Sequence, residues 1–168
     1  MLRITAVALV LALGGAQTQT ARTVKGRYRH PGQGFSVLVL EKPTGLLEGD
    51  PHTERGIRIA LPSGGSIFAY GEPNSLEWAS PADGIRRAVA NYPKCFPDGI
   101  QIPAKLGKLA GAGARLSCAD RIIRLLLAFR PGGGPIYWVR LETASNHEAE
   151  DATFFGKVAS SFQVIRWQ

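Results

Sequence analysis

Two apolar segments around a run of glycines constrain the fold more than any other part of the chain. They read RIIRLLLAFR at 121–130 and PIYWVRLETA at 135–144, with PGGG between them. Glycine adopts positive φ at no steric cost, so this linker lets an extended chain reverse direction. Facing the two apolar sets pairs Leu125 with Leu141 and sets Arg124 opposite Glu142, a favourable cross-strand charge pair. The sequence therefore predicts an antiparallel hairpin in this register.

An earlier segment, GIRIALPSGGSIFAYGE at 56–72, predicts a second hairpin. Its residues alternate between apolar and small or polar with the period of two that is typical of a strand. Ser63, Gly64 and Gly65 supply a three-residue turn, which pairs Leu61 with Ile67. A slip by one residue would turn every apolar side chain to the other face, so the apolar pattern specifies the register.

Two segments carry helix signals. In SPADGIRRAVANYP at 80–93, Ser80 is a favourable N-cap, Pro81 suits the first helical position and Pro93 ends the helix. A second helix is predicted over about 148–161, with Ser145 or Asn146 as its cap and three carboxylates near its positive N-terminus. Its apolar stripe consists of Phe154, Phe155, Val158 and Phe162.

The rest of the chain reads as strands and turns. FSVLVL at 35–40 and QVIRW at 163–167 predict a first and a last strand, and KGRYRHPGQG before the first strand is extended and then turns. KLGKLAG and ARLSCAD predict two short strands that turn around the glycines at 111–113, after an irregular connection, KCFPDGIQIP. Helices and strands do not alternate as in a parallel sheet. The sequence therefore predicts an α+β fold, a single domain with one antiparallel β-sheet flanked by two helices.

The N-terminus has the pattern of a secretory signal peptide. A single charge at Arg3 precedes an apolar run that ends at Leu13, and small residues follow. The run is shorter than the ~20 residues that cross a bilayer. We predict a signal peptide over 1–16, with a second cleavage site after Ala21, and a single exported domain over 22–168. The protein would be periplasmic or secreted, with no transmembrane anchor.

Cys95 and Cys118 are the two cysteines of the chain. In an oxidising compartment such a pair predicts a disulfide, which would close a loop of about 24 residues and stabilise the fold by roughly 3–3.5 kcal/mol. A reactive thiol and a metal-binding pair are the alternatives. No histidine lies near either cysteine in sequence, and the spacing is unlike that of a metal or redox motif.

The formal net charge is +7, and arginine supplies fourteen of the twenty basic residues. A basic exported domain can bind an anionic lipid, a polysaccharide or an acidic partner protein. The charges are scattered, and the densest cluster is Arg27, Arg29 and His30. No basic run of the nucleic-acid-binding type occurs, so nucleic acid is not an expected partner. A surface that is basic only for solubility is the alternative.

No catalytic motif is recognisable in the sequence. His30, His52 and His147 lack metal-ligand spacing, so neither a metal nor another cofactor is expected. The nucleophile elbow and the zinc-protease helix are absent. A glycosidase would need two carboxylates brought together by the fold. The acidic residues considered for that role are Glu72, Glu77, Asp98 and Asp120.

A candidate binding surface lies on the predicted hairpin at 121–144. In the predicted register Trp138 and Arg140 share a face with Arg124 and Arg130 of the neighbouring strand. Tryptophan and arginine anchor many protein interfaces. The alternative is that a helix packs over Trp138 while the arginines reach solvent at the edge of the sheet.

Three quoted segments resemble the PsbP-like domains, a group that includes extrinsic photosystem II proteins and the Ran-binding Mog proteins. They are GFSVLVLEKPTG, KLGKLAGAGARLSC, and IYWVRLETA followed by AEDATFFGKVASSFQV. The resemblance implies an αβα sandwich of an antiparallel sheet flanked by helices. It also implies a binding or accessory role, and no binding residue of the group is matched here.

Three functions are compatible with these features. The first is a non-enzymatic exported domain that recognises a protein or an envelope component, with an immunity protein against an exported toxin as one variant. The second is a hydrolase of an envelope polymer that uses carboxylates assembled by the fold. The third is a structural or stress-related envelope protein. The absence of catalytic motifs favours the first.

Overall fold

The computed structural model of the protein describes residues 24–39, 46–47 and 56–165, with residues 46–47 and 100–102 described by their backbone. The predicted signal peptide and its two cleavage sites lie outside the described residues. So do His52 and most of the loop at 43–55.

The described residues form ten strands and two helices. In chain order they are β1 (Gly26–His30), β2 (Phe35–Val39), β3 (Leu46–Leu47), β4 (Gly56–Ala60), β5 (Ser66–Pro73), α1 (Pro81–Val89), β6 (Phe96–Leu106), β7 (Leu109–Ser117), β8 (Arg121–Phe129), β9 (Pro135–Ala144), α2 (Glu148–Ser161) and β10 (Gln163–Val164). In the described part of the chain, no helix is long and apolar enough to cross a membrane.

The strands form two antiparallel sheets, where the sequence predicted one. The larger sheet has seven strands in the order β3-β4-β5-β9-β8-β7-β6, and the smaller has the order β1-β2-β10. The smaller sheet closes when Val164, near the end of the chain, pairs with Phe35. This contact joins residues more than a hundred positions apart, and local patterns carry no signal for it. The α+β class with two helices is confirmed.

Both helices form where the sequence places them. The Ser80 hydroxyl accepts a hydrogen bond of 3.2 Å from the Asp83 N–H at the start of α1. The predicted bounds of α2 are also confirmed, but the predicted caps are wrong. Ser145–His147 forms a 3-10 turn that leads directly into α2, and no side chain caps the helix.

Apolar cores lie on both faces of the larger sheet. On one face α2 and the smaller sheet pack against it, and the rings of Phe35 and Phe162 stack at 5.2 Å. On the other face α1 packs across β6, β7 and β8 around the buried side chains of Ile85 and Leu127. The strands in the middle of the sheet are therefore apolar on both sides, which matters for their register.

The hairpin of β8 and β9 forms, but the predicted register is wrong by one residue. Leu125 pairs with Arg140 and Arg124 with Leu141, so the expected pair of Arg124 with Glu142 does not exist. Because both faces of β8 are apolar, apolar residues face apolar residues in either register. A one-residue slip turns every side chain of one strand to the other face.

The hairpin of β4 and β5 forms in a register that differs from the prediction by two residues. Ile59 pairs with Ile67, and the loop spans 61–65 where three residues were expected. The Leu61 N–H donates to the Gly65 carbonyl within this loop. A shift of two residues preserves which side chains face the core, so the predicted faces of the strands are correct.

The glycines at 111–113 are not a turn. They lie inside the continuous strand β7, and the chain reverses between Leu106 and Leu109, where Gly107 has a φ of 59°. A Cβ at Gly111 would collide with the Leu127 carbonyl oxygen of β8, so glycine permits close approach of the strands here. The predicted irregular connection at 94–103 contains most of β6, the partner of β7.

Candidate functional site

A groove opens where α1 stops covering the larger sheet. The helix packs on β6, β7 and β8, so the same face of β5 and β9 is left open beside it. The groove has a volume of about 530 Å³. Its aromatic lining residues are Tyr70, Trp78, Tyr92 and Trp138, and its polar lining residues are Glu72, Arg87, Asn91 and Arg140. Aromatic surface with a few convergent polar groups is typical of binding sites.

A second cavity of about 480 Å³ lies beside the turn between β6 and β7. Leu106, Leu109 and Phe162 contribute its apolar wall, and Lys108 is the charged side chain that lines it. This cavity offers fewer polar groups that could orient a ligand. The groove beside α1 is therefore the better candidate site.

Trp138 forms the floor of the groove. Its ring stacks on Tyr70 at 6.1 Å and meets the edge of Trp78 at 5.8 Å. The Trp138 indole N–H donates a hydrogen bond of 2.8 Å to Glu72. Burial raises the pKa of Tyr70 far above its usual range, so its hydroxyl stays neutral. The floor is thus a fixed aromatic cluster.

A short loop between β5 and α1 holds Trp78 at the groove. Asn74 accepts a hydrogen bond from the Trp78 N–H and donates one to the Trp78 carbonyl, each at 3.0 Å. A Cβ at Gly84 of α1 would overlap the Trp78 ring. Glycine at this position therefore lets the helix pack closely on the indole. Leu76, at the tip of this loop, has 66% of its surface exposed.

Arg140 supplies positive charge along β9. Its guanidinium lies 4.4 Å from the centre of the Phe68 ring, and Arg58 lies 5.5 Å from the same ring. One terminal N–H of Arg140 donates to the Tyr92 hydroxyl at 3.4 Å. The Phe68 face and the Tyr92 hydroxyl hold the guanidinium at the groove, because a cation is attracted to the face of an aromatic ring.

Two buried donors of the groove lack a hydrogen-bond partner among the described residues. They are the indole N–H of Trp78 and the Nε–H of Arg140. Arg140 Nε lies 3.3 Å from the Glu142 carboxylate, but the pair lacks the geometry of a hydrogen bond. Buried donors are rarely left unpaired in proteins, so this pair singles out the groove.

No family model matches the sequence, and no curated protein matches it. Two solved structures share the architecture. One is cyanobacterial PsbP (CyanoP) from Synechocystis sp. PCC 6803, with a TM-score of 0.59 and 12% identity over 89% of this chain and 98% of that chain. The chain has a PsbP-like fold. The other is LpqN of Mycobacterium tuberculosis, described as involved in cell envelope biogenesis, with a TM-score of 0.59 and 14% identity over 79% of this chain and 83% of that chain.

In this PsbP-like domain the four residues of the predicted surface lie on two faces of the sheet. Trp138 and Arg140 face the groove, but only 3% of Trp138 is exposed. Arg124 lies on the opposite face and binds the Glu148 carboxylate of α2. Arg130 interacts with Tyr137, which also belongs to the opposite face. The premise of one shared face is therefore wrong, because it depended on the register of β8 and β9.

An ion cluster joins α2 to the opposite face of the PsbP-like sheet. Arg115 and Arg124 both bind the Glu148 carboxylate, with distances of 2.6 and 2.7 Å. Arg115 also contacts Asp98. The hydrogen bond from Arg115 is the main reason that the pKa of Glu148 falls to about 2. All these charges are paired with one another, so the cluster serves the structure.

The predicted disulfide is present in the structure. Cys95 lies just after α1 and Cys118 just after β7, and the two are joined. The Cys95 N–H donates to the Tyr92 carbonyl, so the bond anchors the end of the groove wall. Export, an oxidised compartment and spacing that fits no metal motif were sufficient signals for this pair.

Sequence reasoning missed three aromatic residues of the groove. Tyr70 continues the alternation of β5 beyond Phe68, and that pattern could have placed it on this face. Trp78 lies just before the N-cap of α1 and Tyr92 just after the helix, where side chains often line its flanks. Of the four acidic residues considered for glycosidase chemistry, Glu72 lines the groove and accepts from Trp138. Among the described residues, no group of three or more potential ligands could hold a metal.

Proposed function

We propose that this protein is an exported, non-enzymatic accessory domain that binds a partner protein of the cell envelope through the groove beside α1. The mature domain would begin after residue 16 or 21. The observation that carries the proposal is the convergence of Tyr, Trp and Arg side chains on one open groove, since these residue types dominate the energetics of protein interfaces.

Two further observations support this function. The disulfide between Cys95 and Cys118 fits an oxidising compartment, as exported proteins encounter. Among the described residues that line the groove there is one carboxylate, and no cysteine or histidine. A carboxylate pair for polymer hydrolysis is not assembled there, so binding fits the groove better than catalysis.

Site-specific cross-linking in the source cell tests the proposal. A photoreactive residue replaces Asn91, which is exposed at the groove, and in a control it replaces Lys157, which is exposed on α2 away from the groove. We expect a discrete cross-linked protein from position 91 that is missing from position 157. Identical products from both positions, or none from either, would contradict the proposal.

Purified partner then provides the quantitative test. Leu76→Ser removes an exposed apolar side chain at the groove, whereas Phe96→Ser removes one that is 77% exposed elsewhere. We expect Leu76→Ser to weaken binding several-fold and Phe96→Ser to leave it unchanged. Incubation of the purified protein with isolated envelope polymer, with and without Glu72→Gln, tests the hydrolase alternative. Release of new chain ends that depends on Glu72 would favour an enzyme.

A further inference from the structure

We propose that the groove recognises an acidic peptide segment whose carboxylate lies between the indole N–H of Trp78 and the guanidinium of Arg140. This inference rests on the proposed function and names the chemistry of the partner. It is carried by the two buried donors that lack partners among the described residues.

The Trp78 indole is the more informative donor. An indole nitrogen can donate a hydrogen bond and cannot accept one, so its ligand must supply an acceptor. Leaving such a group buried and unpaired costs free energy, which a bound acceptor atom would recover. The hydrogen bonds from Asn74 fix the backbone at Trp78, and Gly84 packs against its ring. The indole is therefore held in place before a ligand arrives.

Arg140 supplies the charge that selects a carboxylate over a neutral acceptor. Its guanidinium is held against Phe68 and the Tyr92 hydroxyl. Glu142 lies 3.3 Å from Nε without completing a hydrogen bond, so a better-aligned acceptor can compete for that N–H. Hydrogen bonds between arginine and a carboxylate are among the strongest that proteins make.

The charge of the groove also favours an anion. Its charged lining residues are Arg87, Arg140 and Glu72. The Glu72 carboxylate already accepts a hydrogen bond from Trp138, and Arg87, 62% exposed, pairs with Asp83 at 3.4 Å on the outer side of α1. The lining therefore carries a net positive charge, in a chain whose formal net charge is +7. This complementarity would also speed the encounter with an acidic partner.

The aromatic packing favours a peptide over an anionic polysaccharide. Sugar rings bind to open aromatic faces, but Tyr70 stacks on Trp138 and Trp78 contacts the same indole. The exposed side chain of Leu76 instead offers a contact for an apolar side chain of a peptide. An acidic residue next to an apolar or aromatic residue would match both features.

Two small probes test the inference by NMR. The first is the N-acetylated amide of the dipeptide Asp-Phe, and the second is its neutral isostere Asn-Phe. Isotope-labelled full-length protein is titrated with each while the indole N–H resonances are followed. We expect the acidic probe to shift the Trp78 indole signal, assigned with Trp78→Phe, and to bind about tenfold more tightly than the neutral probe. The Trp138 indole, already bonded to Glu72, is the internal reference.

Variants of Arg140 provide the matched control. Arg140→Gln should abolish the preference for the acidic probe, and Arg140→Lys should restore part of it. Amide spectra of each variant establish that it is folded. Equal affinity for the two probes, or no shift of the Trp78 indole with either, overturns the inference. Tighter binding of an oligogalacturonate than of the acidic probe overturns it in favour of a polysaccharide.

The two proposals can fail separately. A partner that cross-links at position 91 but binds as well to Arg140→Gln as to the natural protein would leave the proposed function intact and refute the carboxylate site. A strong preference for the acidic probe without any cross-linked protein would support the carboxylate site and refute the partner-protein function.

Discussion

The indole N–H of Trp138 donates a 2.8 Å hydrogen bond to Glu72, and this bond ties β9 to β5 at the floor of the groove. Replacing Glu72 by Leu would leave a buried donor unpaired. We expect Glu72→Leu to lower the free energy of unfolding by about 1–3 kcal/mol. Glu72→Gln keeps an acceptor oxygen and should lose less than half of that. Urea unfolding measures both, and equal losses would show that this hydrogen bond contributes nothing.

Asp151 links α2 to the hairpin of β4 and β5. Its buried carboxylate accepts hydrogen bonds from Ser63 at 2.6 Å and Thr143 at 2.5 Å. We expect Asp151→Ala to destabilise the protein by about 1–3 kcal/mol, because two hydroxyls lose their acceptor. Glu150→Ala, in the same turn but exposed, should stay within about 0.5 kcal/mol of the natural protein. Thermal and urea unfolding of the pair decide the point.

Glu148 should make the stability depend on pH in the acidic range. Hydrogen bonding to Arg115 lowers its pKa in the folded state to about 2 from an ordinary value of 4.5. The unfolded chain therefore binds the proton at higher pH than the folded protein does. The stabilisation by Glu148 is fully present above about pH 4.5 and is lost as the pH falls towards 2.

The corresponding measurement compares urea midpoints of the natural protein and Glu148→Gln across that pH range. We expect the natural protein to be more stable at neutral pH and the difference to shrink as the pH falls from about 4.5 to about 2. A difference that is constant with pH would contradict the assigned role of the carboxylate charge.

Gly107 and Gly64 form a matched pair of glycines at positive φ. A Cβ at Gly107 would collide with the Phe162 carbonyl, whereas a Cβ at Gly64 meets nothing within 4 Å. Gly64→Ala should cost about 1–2 kcal/mol for the left-handed conformation alone. Gly107→Ala should cost at least about 2 kcal/mol more, because the turn or the end of α2 must move. Equal unfolding free energies for the two variants would refute the close approach.

The disulfide should stabilise both the domain and the groove wall. Cys95 and Cys118 are 23 positions apart, which corresponds to about 3 kcal/mol on the chain-entropy estimate. The double replacement of both cysteines by serine should lose that amount in urea unfolding. Reductant should have a similar effect on the natural protein and none on the variant. Full stability of the reduced protein would contradict the prediction.

Local signals were sufficient for the helices and the disulfide. The N-cap at Ser80, the carboxylates at the start of α2 and its apolar stripe act within one or two turns of a helix, so their effect is visible in a short window. The cysteine pair needed only the predicted compartment and a count. The resemblance to PsbP-like domains at the level of fold is also confirmed.

The binding face could not be predicted because it depends on long-range packing. On β5, whose predicted faces were correct, the hydrophobic alternation was informative. On β8 it was not, because α1 covers one face and α2 with the smaller sheet covers the other. The sequence by itself thus determined the helices, the strands of the two hairpins and the covalent link. Only the tertiary structure decided which side of the sheet Arg124 and Trp138 each face, because a strand that is apolar on both sides has no preferred register until its neighbours pack against it.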